Sequence, residues 1–394
     1  MRKQLSSLAV AATAALLLAT GPPRADAPDG SSAGGYAGAS ARSPAGIPAV
    51  RLAAGLVGPL HVSAGRDGSV TVSEQFASRL TRIDADGSRK VLYENNGWDV
   101  AGNTQEGSTT YVVESQGAGR GDNRELAAHV RIIEEDGDQR TIGDFAALEK
   151  KDNADGGARY GFRDLPADCA SKLPPELPAS YTGELNTRPY GIAVSDGTVF
   201  AADAGANTVV SVNIRSGKAK TVAVLPPRPS RITAAAAAGL HLPQCVVGRS
   251  YAFEPVPTDV AVGPDGWLYV STMPGGPESP GADARGAVFK IDPEHGKVKL
   301  LAESILSPTG IAVTSDGDVY VASLFGDGVI KLDGRTGKPS VALASASTAD
   351  VVLRGSTLYA TVNSLPSDPA PPNGQVATLK LGRDSRDSDD SDDS

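Results

Sequence analysis

Short runs of alternating apolar and polar residues recur through the central part of the chain, separated by turns rich in Gly and Asp. Two examples are SPTGIAVTSDGDVYVASLFGDGVIKLDGRTGKPSVAL from Ser307 and GPLHVSAGRDGSVTVSEQFASRLTRIDADGSRKVLY from Gly58. Each reads as an apolar strand, an Asp-Gly turn, an alternating strand, a loop, a third strand, a second Gly turn and a fourth strand. A period of two sends successive side chains to opposite faces of a sheet. Asp-Gly between such runs signals a hairpin, because Gly accepts the positive φ that the tight turn requires.

The unit recurs as RPYGIAVSDGTVFAADAGANTVVSVNIRSGKAKTVAV from Arg188, and as PVPTDVAVGPDGWLYVSTM from Pro255 continuing into GAVFKIDPEHGKVKLLA. A weaker copy runs from Gly97 through TTYVVESQG, HVRIIEEDG and QRTIGDF. A last copy, TADVVLRGSTLYATVN with QVATLKL, supplies three strands. The missing strand lies at the other end, where AVRLAAGLVGPLHVSA from Ala49 aligns with VKLLAESILSPTGIAV from Val298. Val50 to Ala53 therefore matches a fourth strand with no blade of its own. These features predict an all-β, six-bladed β-propeller over 48–381, closed by that N-terminal strand; a period of ~40 residues fits a four-stranded blade. An open solenoid or a seven-bladed ring is the rival reading.

Two insertions interrupt the repeat, at about 146–187 and 228–254. Each is expected to hold a short helix, Asp144 to Lys151 with Asp144 as cap, and Ile232 to Ala238 ended by Gly239. Each also carries one of the two cysteines, Cys169 and Cys245. Connections from fourth to first strands emerge on one face of a propeller, so the insertions should cap that face side by side. A disulfide between them would close a loop of about 77 residues, for which chain entropy allows on the order of 4 kcal/mol.

The same face collects polar residues. Alignment on the second strands brings Glu74, Glu114, Asp203, Thr272, Ser323 and Val362 to one exit position, with Asn363 next in line. Glu74, Glu114, Asp203, Thr272, Ser323 and Asn363 are thus the ligand-binding candidates. The starts of the first strands supply His61, Asp99, Gly191, Asp259, Gly310 and Asp350. Clustered carboxylates repel unless protons or a cation neutralise them, so Glu74, Glu114, Asp203, Asp99, Asp259 and Asp350 form a possible Ca²⁺-type ligand set. The competing reading is that such side chains hydrogen-bond neighbouring strands and lock blade to blade. His61 alone of the four histidines stands near the expected mouth and is the one candidate general base. No zinc spacing, nucleophile elbow, phosphate loop or dinucleotide fingerprint occurs, and the RGD tripeptide at Arg120–Asp122 is too short a match to use.

The ends read as export and solvent. Arg2 and Lys3 precede an apolar run from Leu8 to Ala19, and Ala25-Asp26-Ala27 fits a cleavage site, so 1–27 reads as a signal peptide rather than an uncleaved anchor. Residues 28–47 read as a disordered linker and 382–394 as an acidic tail. The formal net charge is −9, and removal of 1–27 takes away three positive charges and one negative, leaving about −11. That balance argues against nucleic-acid partners. A secreted monomer with no membrane insertion after cleavage is expected, in which a disulfide is the ordinary state of paired cysteines.

The segments TYVVESQG (Thr110 to Gly117), RPYGIAV (Arg188 to Val194) and the cysteine-bearing stretch from Pro226 to Pro277 resemble the ScyD/ScyE family of exported propeller proteins. That resemblance implies fold and export but no reaction. More distantly the repeat resembles NHL-repeat and SMP-30/gluconolactonase propellers, which hold one divalent ion with a Glu, two Asn and an Asp. At the corresponding first-strand positions this chain has Leu60, Trp98, Tyr190, Thr258, Thr309 and Ala349, so that ligand pattern is absent. Streptogramin lyase propellers share the repeat without a matching His/Glu pair. The expectation is a secreted binding or scaffold propeller, with a small molecule or protein segment on the capped face and no reaction assignable. A metal-dependent hydrolase or lyase, and a cell-surface interaction module, are the alternatives.

Overall fold

The computed structural model describes residues 49–118, 124–174, 177–276, 278, 283–366 and 370–382. The expected signal peptide, the linker, the tail beyond Gly382 and the RGD tripeptide lie outside the described residues.

Six antiparallel four-stranded sheets follow one another along the chain. Their first strands are Pro59–Ala64, Asp99–Glu106, Pro189–Ser195, Pro257–Val262, Pro308–Val313 and Asp350–Arg354. Each packs beside the next, and the last packs beside the first, so the strands ring a central channel. The sheets are called blades one to six in this order. Inner strands such as Val70–Glu74 and Val319–Ser323 are buried along their whole length, so both faces of each sheet are covered, and apolar clusters fill the gaps between neighbours. Leu80 of blade one packs with Val112 and Ile133 of blade two; Val113 and Val130 of blade two pack with Val199 and Val210 of blade three. Outermost strands such as Arg89–Glu94 face solvent.

The N-terminal strand Val50–Leu56 pairs antiparallel with Gly374–Lys380, with Val50 opposite Thr378 and Leu56 opposite Gly374. It is the outer strand of blade six, whose other three strands come from the C-terminal end of the sequence.

The two insertions build something that their sequence did not suggest, a seventh four-stranded sheet. Its order is Ser180–Thr182, Arg159–Phe162, Ser250–Phe253, Arg228–Arg231, and the central pair joins the insertions through Gly161 opposite Ala252 and Phe162 opposite Tyr251. Beneath it Phe162, Ile232, Ala237, Val246 and Tyr251 pack around the Cys169–Cys245 disulfide, whose Cα atoms are 6.0 Å apart. The bridge fits an extracellular or periplasmic protein. No helix among the described residues is long and apolar enough to cross a membrane.

Helices are short. Helix α1 (Phe145–Asp152) is capped as expected, the Asp144 carboxylate accepting from the Ala147 N–H at 2.8 Å. Helix α2 (Ala167–Ala170) carries Cys169. Helix α3 spans Ala234–Gly239 rather than starting at Ile232. Thr233 is its cap, and Ile232 continues the seventh sheet, its N–H donating to the Arg249 carbonyl.

Candidate functional site at the central channel

The second-strand exits do not converge. Each polar side chain there is taken up by its own blade, by a connecting loop or by the outer strand of the blade before it. Glu74 accepts from the Val57 N–H (2.7 Å), Arg79 Nε (2.9 Å) and Thr81 Oγ1 (2.5 Å). Burial pushes its carboxyl up, but these donors and the Arg79 charge outweigh burial and hold it below the usual range. Glu114 is wholly buried and accepts from Tyr93, Asn95, His129 and Arg131 at 2.6–2.9 Å. Against the same burial, this set lowers its pKa to about 2. Asp203 ties the entry to blade three, accepting from the Thr187 hydroxyl and the N–H groups of Arg188 (2.7 Å), Gly205 and Ala206. Thr272 and Ser323 donate to the carbonyls of Ala287 and Leu306. Asn363 sits in a left-handed turn at φ 50°, its N–H bonded to Ala346.

The first-strand positions behave differently. Asp259 of blade four accepts from the Ile311 N–H of blade five (2.9 Å), and Asp350 of blade six accepts from the Val62 N–H of blade one (2.8 Å). Each acid therefore caps an inner-edge amide that no strand satisfies. Two glycines make the room. A Cβ on Gly191 would run into Asp259, and one on Gly310 into Asp350. Burial raises the pKa of both acids, and that of Asp350 is raised further by the charge of Asp259.

Asp99 departs from the alignment. In five blades the position in question faces the residue before the second-strand exit, as in His61 opposite Ser73 and Asp350 opposite Thr361. In blade two Val100 faces the exit residue Glu114, as Pro59 faces Glu74 and Pro257 faces Thr272, and the same register shift follows in each, so Asp99 lies before the strand position that corresponds to His61 and Asp259. Gly102 occupies the level instead. Asp99 is displaced toward the capped face, where it accepts from the Gln75 amide and from Arg188 Nε (2.7 Å). The six acids of the possible ligand set are thus dispersed. Among the described residues no three His, Cys, Asp or Glu side chains lie close enough to hold a metal ion.

His61 is brought to the centre. Gly102 and Gly191 present no side chain, and the ring of His61 from blade one reaches the ring of Tyr190 from blade three, edge to face at 4.6 Å. The imidazole is 1 % exposed, its Nδ1 is 3.9 Å from an Asp350 oxygen, and its Nε2 has no hydrogen-bond partner. Burial lowers its pKa to about 4, Asp99 opposing and Arg188 assisting, so the ring is neutral at ordinary pH. Sequence reasoning named His61 but missed Arg188, Tyr190 and Gln75. The glycines at 102 and 191, conspicuous between apolar strand residues, were the available signal for a close approach.

A cavity of about 420 Å³ runs along the channel from this level. All six first strands line it, with His61, Asp259 and Asp350 at one end and Thr104, Val262, Val313 and Arg354 toward the other. Those last residues lie at the ends of the first strands, away from the insertions. The walls are sheet edges, so backbone N–H and C=O groups turned from the ladder face the space. Its interior suits a polar guest.

No protein-family model matches the sequence, and no curated protein matches it. Solved structures do share the architecture. The PQQ-bound aldose sugar dehydrogenase of Streptomyces coelicolor aligns with a TM-score of 0.52 at 14 % identity, over 86 % of this chain and 98 % of that one. A gluconolactonase of Xanthomonas campestris gives 0.52 at 13 %, over 86 % and 92 %. A putative glucose dehydrogenase of Thermus thermophilus gives 0.50 at 16 %, over 85 % and 100 %. The chain is a β-propeller. At these identities the likeness extends to fold alone.

Proposed function

We propose that this is an exported propeller whose central channel binds a small polar molecule and acts on it by acid–base chemistry, as a hydrolase or lyase. The observation that carries the reading is the buried, unpartnered imidazole of His61, a residue that lines the inner end of the cavity. A buried polar atom without a partner costs roughly 1–3 kcal/mol, a cost that a site retains where the ring turns to meet a guest. A neutral imidazole accepts a proton; Asp259 and Asp350, held toward their protonated forms, can return one. Tyr190 packs against the imidazole edge to face, and the Arg188–Asp99 pair lies within its field.

Export through residues 1–27 and membership of the ScyD/ScyE family belong to the same proposal. The disulfide supports the first, and the segments Thr110–Gly117, Arg188–Val194 and Pro226–Pro277 support the second. The neighbours that act on sugars or sugar lactones suggest where to begin screening.

The test pairs stability with turnover. A panel of neutral sugar lactones and esters is followed by proton release and by thermal shift, for the wild type, His61→Gln and His61→Leu. The expected result is loss of turnover by at least about 100-fold in both variants, with His61→Leu melting at or above the wild-type temperature. A His61→Leu variant that melts several degrees lower while turnover persists would overturn the reading. Ligand-induced thermal shifts without turnover in the wild type would favour a binding protein using the same cavity.

A further inference from the structure

The cap meets blade three at a buried group of acids that the channel chemistry does not use. Asp155 comes from the first insertion, Glu254 closes the second, and Asn207 stands in the loop after the second strand of blade three. The Asn207 amide NH₂ donates to Asp155 Oδ2 (2.8 Å) and to Glu254 Oε2 (3.0 Å). The Val256 N–H donates to Asn207 Oδ1 (3.1 Å), which fixes the amide with its NH₂ toward both carboxyls. Tyr160 OH donates to the same Asp155 oxygen (3.0 Å). One side chain of the propeller therefore fastens both insertions.

The charged and titratable surroundings are all acids and phenols. Glu149, within α1, faces Asp203 and Asp155 and is approached by the N–H groups of Asn186 and Ala154. Glu254 faces Tyr181, Asp155 and Glu184, and Tyr251 and Tyr160 lie within its field. The three acids Glu149, Asp155 and Glu254 are at least nine-tenths buried, and Glu149 Oε1 and Asp155 Oδ1 have no partner. Burial first, then neighbouring acids, pushes Glu149 and Glu254 up to about 7, and burial raises Asp155 as well.

We infer that this junction is a proton-operated latch: with Glu149, Asp155 and Glu254 protonated the two insertions close on blade three around Asn207, and loss of the protons sets buried like charges against one another and loosens the cap. The sign follows from linkage. Groups raised above their solvated values stabilise the closed junction fully below about pH 4.5, and that contribution is lost as pH rises through about 7.

Hydrogen exchange on the full, disulfide-intact chain reads the latch directly, after correction for intrinsic rates. Protection of the cap strands Arg159–Phe162 and Ser250–Phe253 should fall at least about tenfold between about pH 5 and about pH 7.5, while the blade-five strand Val319–Ser323 stays constant. Glu149→Gln with Glu254→Gln should leave the cap strands flat across that range. Should the double variant fail to fold, Glu149→Gln alone should roughly halve the logarithmic slope. A flat wild-type profile, or an undiminished slope in the Gln variants, overturns the latch. So does recovery of full protection on adding Ca²⁺ at neutral pH, which would make the junction a cation site.

Discussion

Glu114 and Asp350 are both buried carboxylates on inner strands, yet their surroundings drive them in opposite directions. Glu114 sits at an exit where its own blade supplies a guanidinium and an imidazole, and the preceding strand and loop add an amide and a phenol. Asp350 sits on the channel wall, where the next blade supplies a backbone N–H and the nearest titratable groups are a neutral imidazole and another acid. Within a blade, cross-strand neighbours can be chosen to neutralise a charge. At the ring's centre each position meets only the first strands of other blades, and charge is relieved by protonation instead. Glu74 and Glu114 therefore form fixed ionic locks at the rim, while Asp259 and Asp350 in the channel can exchange protons.

The largest expected break of this contrast is Glu114→Gln. Removing the charge leaves Arg131 and its companions facing a weaker acceptor in a buried site, and a loss of about 3 kcal/mol in denaturant titration at pH 7 is expected. The same variant should flatten the acid limb of stability. Glu114 has a folded pKa of about 2, so its contribution is present above the ordinary carboxylate value and disappears as pH falls from about 4.5 toward 2. Next in size is Gly310→Ala, whose methyl would stand 2.7 Å from the Asp350 Cα; overpacking there should cost about 2 kcal/mol. The smallest is Asp350→Asn, expected at about 1 kcal/mol through the second donor hydrogen that the amide brings into a buried site. Its sign with pH is opposite to that of Glu114. A raised acid stabilises below its ordinary value and ceases to as pH rises, so the penalty of Asp350→Asn should shrink between pH 4 and pH 8 in equilibrium unfolding. Equal losses for Glu114→Gln and Asp350→Asn, or parallel pH profiles, would erase the distinction between rim and channel.

Much of the ring was legible because its signals are local. Asp-Gly turns and two-residue alternation mark the meander within each copy, and the leftover match of Val50 to Ala53 pointed to the strand that pairs with Gly374–Lys380. The disulfide followed from two insertions at equivalent junctions. The seventh sheet left no such trace. RYGF and SYAF carry three consecutive buried residues apiece, with no alternation to mark a strand, and their pairing spans the whole of blade three. Asp99 was misplaced for a related reason. Its sequence context, Asp-Val-Ala, matches that of Asp259, but Val100 faces the exit where blade four has Pro257, so the structural counterpart of Asp259 is Gly102, three residues further on. The central group itself, His61, Asp99, Tyr190, Asp259 and Asp350, is assembled from five blades, so no window of sequence contains it.

The outer strand of blade six imposes an order on the chain's assembly. Val50 and Thr378 are 328 residues apart and become neighbours only when the ring is complete. Whatever blades form early, the first-made strand must wait for the last-made one, and that long loop must be closed before its contacts stabilise anything. Until then blade six lacks its outer strand and Gly374–Lys380 offers an unpaired edge to other chains. Joining the natural ends and opening the chain between two intact blades would remove that wait, giving a ring that finishes folding faster from the same set of contacts.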